Sequence, residues 1–561
     1  MKKLSLILFY LLLTIFLPFA YAQEKLLSDL ETYYDFLALD GYVERNYLNF
    51  RSLSDSKWKI KDQSLNLWKA QTDLQETIKS KTWYILAPEA LVSYNSSSPY
   101  GQNDGLMWQG KGLNAYLSAG LRLEKYGFEL TFKPEMAYGM NQNYDYVTPY
   151  YGSEGVAELP ENIDLYQGKA MQYGYYGVDA PDAPQRFGDK PYWAFGWGDS
   201  EIRYSYKAFT VGFGTQYVWI GPARINSIMH SNTAPSYPKI DLGLRKTHLQ
   251  IGKTNFGDIE GRLWVGELRE SDYFDNDPSN DKRMFTALSV AYAPSFLKGF
   301  TLTANRSFLC PWEIASLNSV IQALYIPWNM TGARDVWDQR ASVAFNYIHP
   351  SVGFEVYTEL GLNDFSPSAY GYIRYPFHSM VYTSGMRKSV DLRMFSQDLR
   401  AEILLEVSNL EMSQDFQFQF PATFYSHAKI TQGYTHLGQW LGAGNGTGGN
   451  SQYLGFKVYH TKGYVNTFVH RSNPNNDYIY AFSVGTPTFT EDEDRRHDHI
   501  KDFKAVMTLG ANAVYFIRPN IQIKGGAYLV VEHNPLYNAI SWHRTSTRYG
   551  AHLFTGISYY L

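Results

Sequence analysis

The 561-residue chain contains one cysteine, Cys310. It therefore cannot form an internal disulfide, and it lacks the thiol ligands of a cysteine metal site or a dithiol redox pair. Past the first two dozen residues no apolar run approaches the roughly 20 residues that a spanning helix needs, which excludes a helical membrane protein. Basic residues are neither in excess nor clustered. The formal charge is −4 and grows more negative if Lys2 and Lys3 are removed, so no nucleic-acid partner is expected. There is no Gly-x-Ser-x-Gly elbow. The glycine-rich stretch from Leu441 to Gly449 is not followed by Gly-Lys-Ser/Thr and reads as a tightly turning or flexible loop. Neither an enzymatic role nor a cofactor is expected.

What is present begins with an export signal. Lys2 and Lys3 precede an apolar run from Leu4 to Phe19, and Ala20-Tyr21-Ala22 stands before Gln23. That three-part layout predicts a cleaved signal peptide over residues 1–22. No cysteine follows the run, so a lipid-anchored N-terminus is not supported. The mean hydropathy of −0.34 is compatible with a transmembrane β-barrel, in which only alternate strand residues face lipid. Aromatic residues make up 17% of the chain, 47 of them Tyr; barrel girdles and sugar-binding surfaces both use such residues.

Residues 547–561 alternate Leu553, Thr555, Ile557, Tyr559 and Leu561 on one face with Phe554, Gly556, Ser558 and Tyr560 on the other. This period of two predicts a strand that closes a sheet. Residues 128–138 set Phe128, Leu130, Phe132, Pro134, Met136 and Tyr138 against Glu129, Thr131, Lys133 and Glu135. An apolar face backed by charge fits lipid outside and a wet lumen inside. Such strands come in pairs joined by tight turns and followed by long Tyr-, Asn- and Gly-rich segments, which is the outer-membrane layout. The sequence predicts an all-β transmembrane barrel of about eighteen antiparallel strands over 83–561, with long extracellular loops. Both termini would be periplasmic. Residues 23–82 are expected to form a periplasmic helical segment: Ser28 and Glu31 are spaced as a capping box, Gly41 suits a helix end, and Leu67, Gln71, Leu74 and Ile78 repeat the helical period.

Two acidic loops raise the possibility of metal ligands, Asp275-Asn276-Asp277 with Asp281 and Glu491 to Asp494 with His497 and His499. Both read as solvated surface, and no metal site is assigned. Carbohydrate contact is the better-supported chemistry, because sugars present apolar C–H faces and polar edges. The stretch 141–199, expected to be a loop, carries Tyr144, Tyr146, Tyr175, Trp193 and Trp197 among Asn, Gln and Asp.

Several segments in order resemble the Wzi capsule assembly family of outer-membrane proteins in its Bacteroidetes-type form. They include SDLETYYDFLALDGYV, YGQNDGLMWQGKGLNAYLSAG, WIGPARINSIMHSNTAPSYPKIDL, EVYTELGLNDF and TQGYTHLGQWLGAGNGTGGNSQ. The resemblance implies an eighteen-stranded barrel with a periplasmic helical bundle, a surface lectin that helps attach exported capsular polysaccharide to the cell. It places family-like positions at Trp219, Arg224, Asn226, Asn232, Pro235, Gln432, Tyr434, His436 and Gln439. With Tyr175 and Trp193, these residues (Pro235 apart) are the candidate polysaccharide contacts; the alternative for Arg224 and its neighbours is to brace loops that plug the lumen. The expected partners are capsular or exopolysaccharide, outer-membrane lipid and the barrel-insertion machinery, with a monomeric state. The rival function is a diffusion pore lined by Glu129, Lys133, Glu135, Arg262, Glu355, Glu402 and Glu406.

Overall fold

The computed structural model describes residues 28–146, 181–275, 277–325, 337–363, 373, 380–411, 424–427, 429–475, 504–536 and 546–560. The expected signal peptide, Tyr175 and the acidic stretch from Glu491 lie outside them. Helix α1 is Asp29–Leu39, α2 is Lys69–Lys79 and α3 is Leu317–Tyr325.

Eighteen antiparallel strands close into one barrel, each pairing with its neighbours in sequence. Thr547–Tyr559 closes the ring against Trp83–Asn95. Two strands are interrupted, one as Phe128–Phe132 and Glu135–Gly139, the next as Tyr192–Gly196 and Glu201–Tyr206. The first break falls at Pro134, which has no N–H to give the ladder. The second strand begins inside the stretch expected to be loop, so Tyr192 and Trp193 belong to the barrel wall.

The alternation in the sequence becomes the two faces of the wall. Phe128, Leu130, Phe132, Leu553 and Ile557 point outward and are exposed, whereas Glu129, Thr131, Lys133, Glu135, His552 and Ser558 point inward and are buried. Burial of so many inward charges means that the lumen is filled.

Two insertions fill it. From the short-turn end comes the N-terminal segment. Ser28 caps α1 by accepting from the Glu31 N–H at 3.2 Å, but the Glu31 carboxylate turns away to Trp58 instead of completing a capping box. One face of α1 packs Tyr33, Phe36 and Leu37 with Trp68 against Tyr459, Tyr464 and Phe516 of the wall. Trp68 lies over Tyr33 at 4.1 Å, and its Nε1 donates to the His460 carbonyl at 2.8 Å. The connector between the helices, expected to lie outside the barrel, runs into the lumen. From the other end, residues near 215–238 and 424–449 fold inward. Ile228, Met229, Tyr237, Tyr425, Tyr434, Trp440 and Leu441 build a core there with wall residues Trp264, Phe285 and Leu309. The two insertions meet where Arg51–Ser52 pairs with Val218–Trp219.

Candidate functional site

The wall grips each insertion by one device. Glu260 accepts the successive backbone N–H groups of Leu48 (2.6 Å), Asn49 (3.1 Å) and Phe50 (2.6 Å). Glu406 does the same for Arg224 (2.6 Å) and Asn226 (2.7 Å), with Ile225 between them, and also accepts from Tyr357 Oη at 2.6 Å. Consecutive N–H groups converging on one carboxylate form an anion nest that fixes the path of the backbone without a regular element.

Between the nests lies an ion network. Glu355 takes two parallel bonds from Arg45, at 2.6 and 2.9 Å, and one from Arg387 at 2.9 Å. Asp35 of α1 pairs with Arg45 (2.7 Å), Arg224 (2.8 Å) and Arg387 (2.6 Å), and Arg387 also reaches Glu402 at 2.6 Å. Three guanidiniums and three carboxylates thus balance, contributed by helix, connector, inserted loop and wall. A second network joins Asp55 to Arg245 and Arg262, and runs through Asp241 to Arg203. Every residue proposed to line a pore is turned inward, and each of them is buried. A polar cavity of about 400 Å³ remains beside α1, bordered by Asp35, Arg51, Arg224, Glu402, Tyr453 and Lys457.

Burial is the largest single influence on both Asp35 and Glu31, and their charged neighbours decide the outcome. It would raise Asp35, but the Arg224, Arg45 and Arg387 guanidiniums overcome it and hold Asp35 well below the usual range. Glu31 has no ion pair among the described residues: burial pushes it from 4.5 up to about 7, offset only in part by Lys79, the Trp58 donor and Arg51. A raised carboxyl favours the folded state while protonated, so this contribution is full below 4.5 and is lost as pH rises through 7. It amounts to about 3 kcal/mol at most. Asp35 acts oppositely, its contribution being lost as pH falls below the ordinary carboxylate range. Protection of the N-terminal segment from added protease is therefore expected to weaken from pH 5 to 8. Glu31→Gln should flatten that slope and strengthen protection at pH 8; an unchanged slope in the variant would contradict the assignment to Glu31.

The structure brings most of the sequence-derived candidates into the lumen. Trp219 is fully buried, donates to the Ala223 carbonyl at 3.0 Å and carries Arg51 over its ring. Asn226 donates to Ser451 Oγ at 2.7 Å. Gln432 donates to Glu270 and Asn280, both at 2.7 Å. Tyr434 donates to the Met229 carbonyl at 2.8 Å and stacks on Tyr425. The His436 imidazole accepts from the Arg269 N–H at 3.0 Å, and half-buried Gln439 donates to the Gly105 carbonyl at 2.9 Å. Arg224 and Asn232 border the cavity. These residues occupy bracing positions, the alternative raised from sequence. Trp193 points outward at 57% exposure beside Tyr138, on the wall rather than in a loop. Asp275 and Asp277 each accept a backbone N–H two residues on, as turn residues do.

Sequence reasoning missed Asp35, Arg45, Arg51, Asp55 and Glu260. The available signal was Glu31 and Asp35, two acids one turn apart on a helix whose other residues are largely apolar.

At the long-loop end the described surface has a different character. The Tyr144 and Tyr146 rings lie 5.6 Å apart, and Arg548 stands 6.0 Å over Tyr144 while donating to the Asp145 carbonyl at 2.7 Å. Beneath them Arg186 fixes the loop by bonds to Asn143, Asp189 and the Asn141 carbonyl. Half-exposed aromatics beside a guanidinium and an amide can stack on a sugar face and bond its hydroxyls.

Comparison with known proteins bears on this arrangement. A family model described as capsule assembly protein Wzi matches residues 107–523, well over half of the chain. Among solved structures, Escherichia coli Wzi aligns with a TM-score of 0.61 at 10% identity, over 96% of this chain and 100% of its own. That protein is described as an outer-membrane protein involved in group 1 capsule assembly and a carbohydrate-binding β-barrel. Pseudomonas putida OprB (TM-score 0.36, 8% identity, 86% and 96% covered) and Acinetobacter baumannii OccAB4 (0.37, 8%, 85% and 97%) are too distant to bear on function. No curated protein sequence matches the chain.

Proposed function

Because the chain belongs to the Wzi capsule assembly family, we propose that it binds capsular or exopolysaccharide at the cell surface and helps to assemble or attach it there, without catalysis. In this reading the chain is exported by a cleaved signal peptide and inserted as a monomer by the barrel-insertion machinery. Its long loops face outward, and the N-terminal segment and both termini lie on the periplasmic side. The observation that carries the reading is the filled lumen. Most charges that would line a pore, Glu129, Glu135, Arg262, Glu355 and Glu406 among them, hold the two insertions, which leaves the loop surface as the place where a polymer meets the protein.

Tyr144, Tyr146 and Arg548 are the described residues best disposed to take sugar units. Each contact is weak, and repetition along the polymer turns weak contacts into retention. The bracing residues Trp219, Arg224, Asn226, Gln432, Tyr434 and His436 would hold that surface in shape. Trp193 suits the aromatic girdle, and Tyr175 remains a proposed contact on sequence grounds.

Replacing Tyr144 and Tyr146 together by alanine is expected to weaken binding of the strain's own polysaccharide about tenfold, the scale of losing about 1.4 kcal/mol of contact energy. Trp193→Ala should leave binding unchanged. Equal binding by the double variant and the wild type would remove this surface from the account.

A further inference from the structure

The outer wall carries one patch that does not look like the rest. On strands Lys282–Pro294 and Phe300–Pro311, Met284, Phe308 and Cys310 alternate with the inward-facing Arg283, Ser307 and Leu309, and so point away from the lumen. They are nevertheless buried, together with Trp337. Ala315 and Val320 pack over them, and Ser319 hydrogen-bonds the Cys310 thiol. Helix α3 and the turn before it thus lie on the outside of the barrel.

The helix has three sides. Ser319 and Val320 face the wall. Asn318 is exposed and polar. The remaining side shows Leu317 at 75% and Ile321 at 46% exposure, continued by Trp312 (43%) and Ile314 (42%). Glu313 is the one charged residue from Pro311 to Tyr325. Four large apolar side chains exposed this close together, with one charge among them, mark a surface that contacts something other than water.

Its height on the barrel is also marked. Glu267 is the rung partner of Met284 and pairs with Arg269 at 2.6 Å and Lys282 at 3.9 Å, which places a charged rim at that level. Further along the same wall, toward the short turns, Val290 and Leu302 are exposed and apolar. The helix therefore sits where charge gives way to the lipid-facing belt, and its apolar side continues that belt.

We propose that Trp312–Ile321 is an interfacial anchor whose apolar side is immersed in membrane lipid at the boundary of headgroups and acyl chains. The anchor rests on the outer-membrane reading of the barrel and is independent of polysaccharide binding. It would fix the depth and tilt of the long-loop end relative to the membrane surface.

The test uses the full-length barrel reconstituted in phosphatidylcholine vesicles, with Cys310→Ser removing the native thiol. Single cysteines at Leu317 or Ile321 carry an environment-sensitive fluorophore. Val290→Cys serves as a belt reference and Lys253→Cys, in an exposed short turn, as a water reference. Both labelled positions point away from the wall, and heat-modifiable gel migration verifies that each variant is folded. A lipid-borne nitroxide should quench positions 317 and 321 as strongly as 290 and several-fold more than 253, with the reverse order for iodide. Iodide quenching at 317 and 321 equal to that at 253 would overturn the proposal. Shielding from both quenchers would also overturn it, in favour of a protein cover such as a second copy.

Discussion

Replacing Glu355 by alanine is expected to release the N-terminal segment from the lumen. Glu355 is fully buried and is the meeting point of Arg45 and Arg387, with Arg224 at 3.5 Å and the Asn346 amide at 2.8 Å. Its removal leaves three guanidiniums with two carboxylates in a site closed to bulk water. Breaking one partner out of such a cluster costs about 3–5 kcal/mol, because the uncompensated charge remains buried. The cost falls on α1 and its connector, which donate Asp35 and Arg45, rather than on the barrel ladder. Added protease should then cut residues 28–82 in the variant while heat-modifiable migration of the barrel persists. Glu355→Gln, which keeps the shape but not the charge, should fall between the alanine variant and the wild type. Full protection in the alanine variant would mean that the aromatic packing of Trp68, Tyr33 and Tyr459 holds the segment alone.

The second large effect concerns Tyr434, and it separates two roles for one residue. The ring is stacked 5.5 Å from Tyr425 with 5° between planes, Arg340 lies over it at 4.5 Å, and its hydroxyl is bonded on the inside. Truncation to alanine leaves a cavity in the core of the inserted loops and should cost about 3–5 kcal/mol, as for other buried aromatics. Tyr434→Phe, which loses the hydroxyl's contacts with the Met229 carbonyl and Ser307 Oγ, should cost about 1 kcal/mol per contact. Hydrogen exchange over residues 429–449 should accelerate strongly in the first variant and slightly in the second, with polysaccharide binding falling in step. A Tyr434→Ala protein that keeps native exchange yet loses binding would make Tyr434 a sugar contact instead of a brace.

The architecture was legible because a barrel writes itself into local sequence. The wall has one wet or filled side and one apolar side, so strands such as Phe128–Phe132 and Thr547–Tyr559 carry the period of two in their sequence. The filling was not legible. Residues such as Trp219, Tyr434 and His436 read as loop aromatics because nothing in a loop's sequence says whether it folds outward or into the barrel. Gly433, with φ of +68° and the Tyr425 carbonyl where a Cβ would collide, is the turn that precedes Tyr434; that requirement exists only once the two segments have met. Likewise, Glu260 grips Leu48 to Phe50 across more than 200 residues of chain, a pairing with no local signature. Trp193 was misplaced for a related reason: the broken strand around Gly196 to Glu201 interrupts the alternation that would have assigned it to the wall.

The most direct test is binding of the detergent-purified wild-type barrel to the capsular polysaccharide of its own strain, with unrelated glycans as controls. Saturable binding selective for the strain's polymer is the predicted result. A folded barrel that binds none of these glycans would contradict the account at its centre.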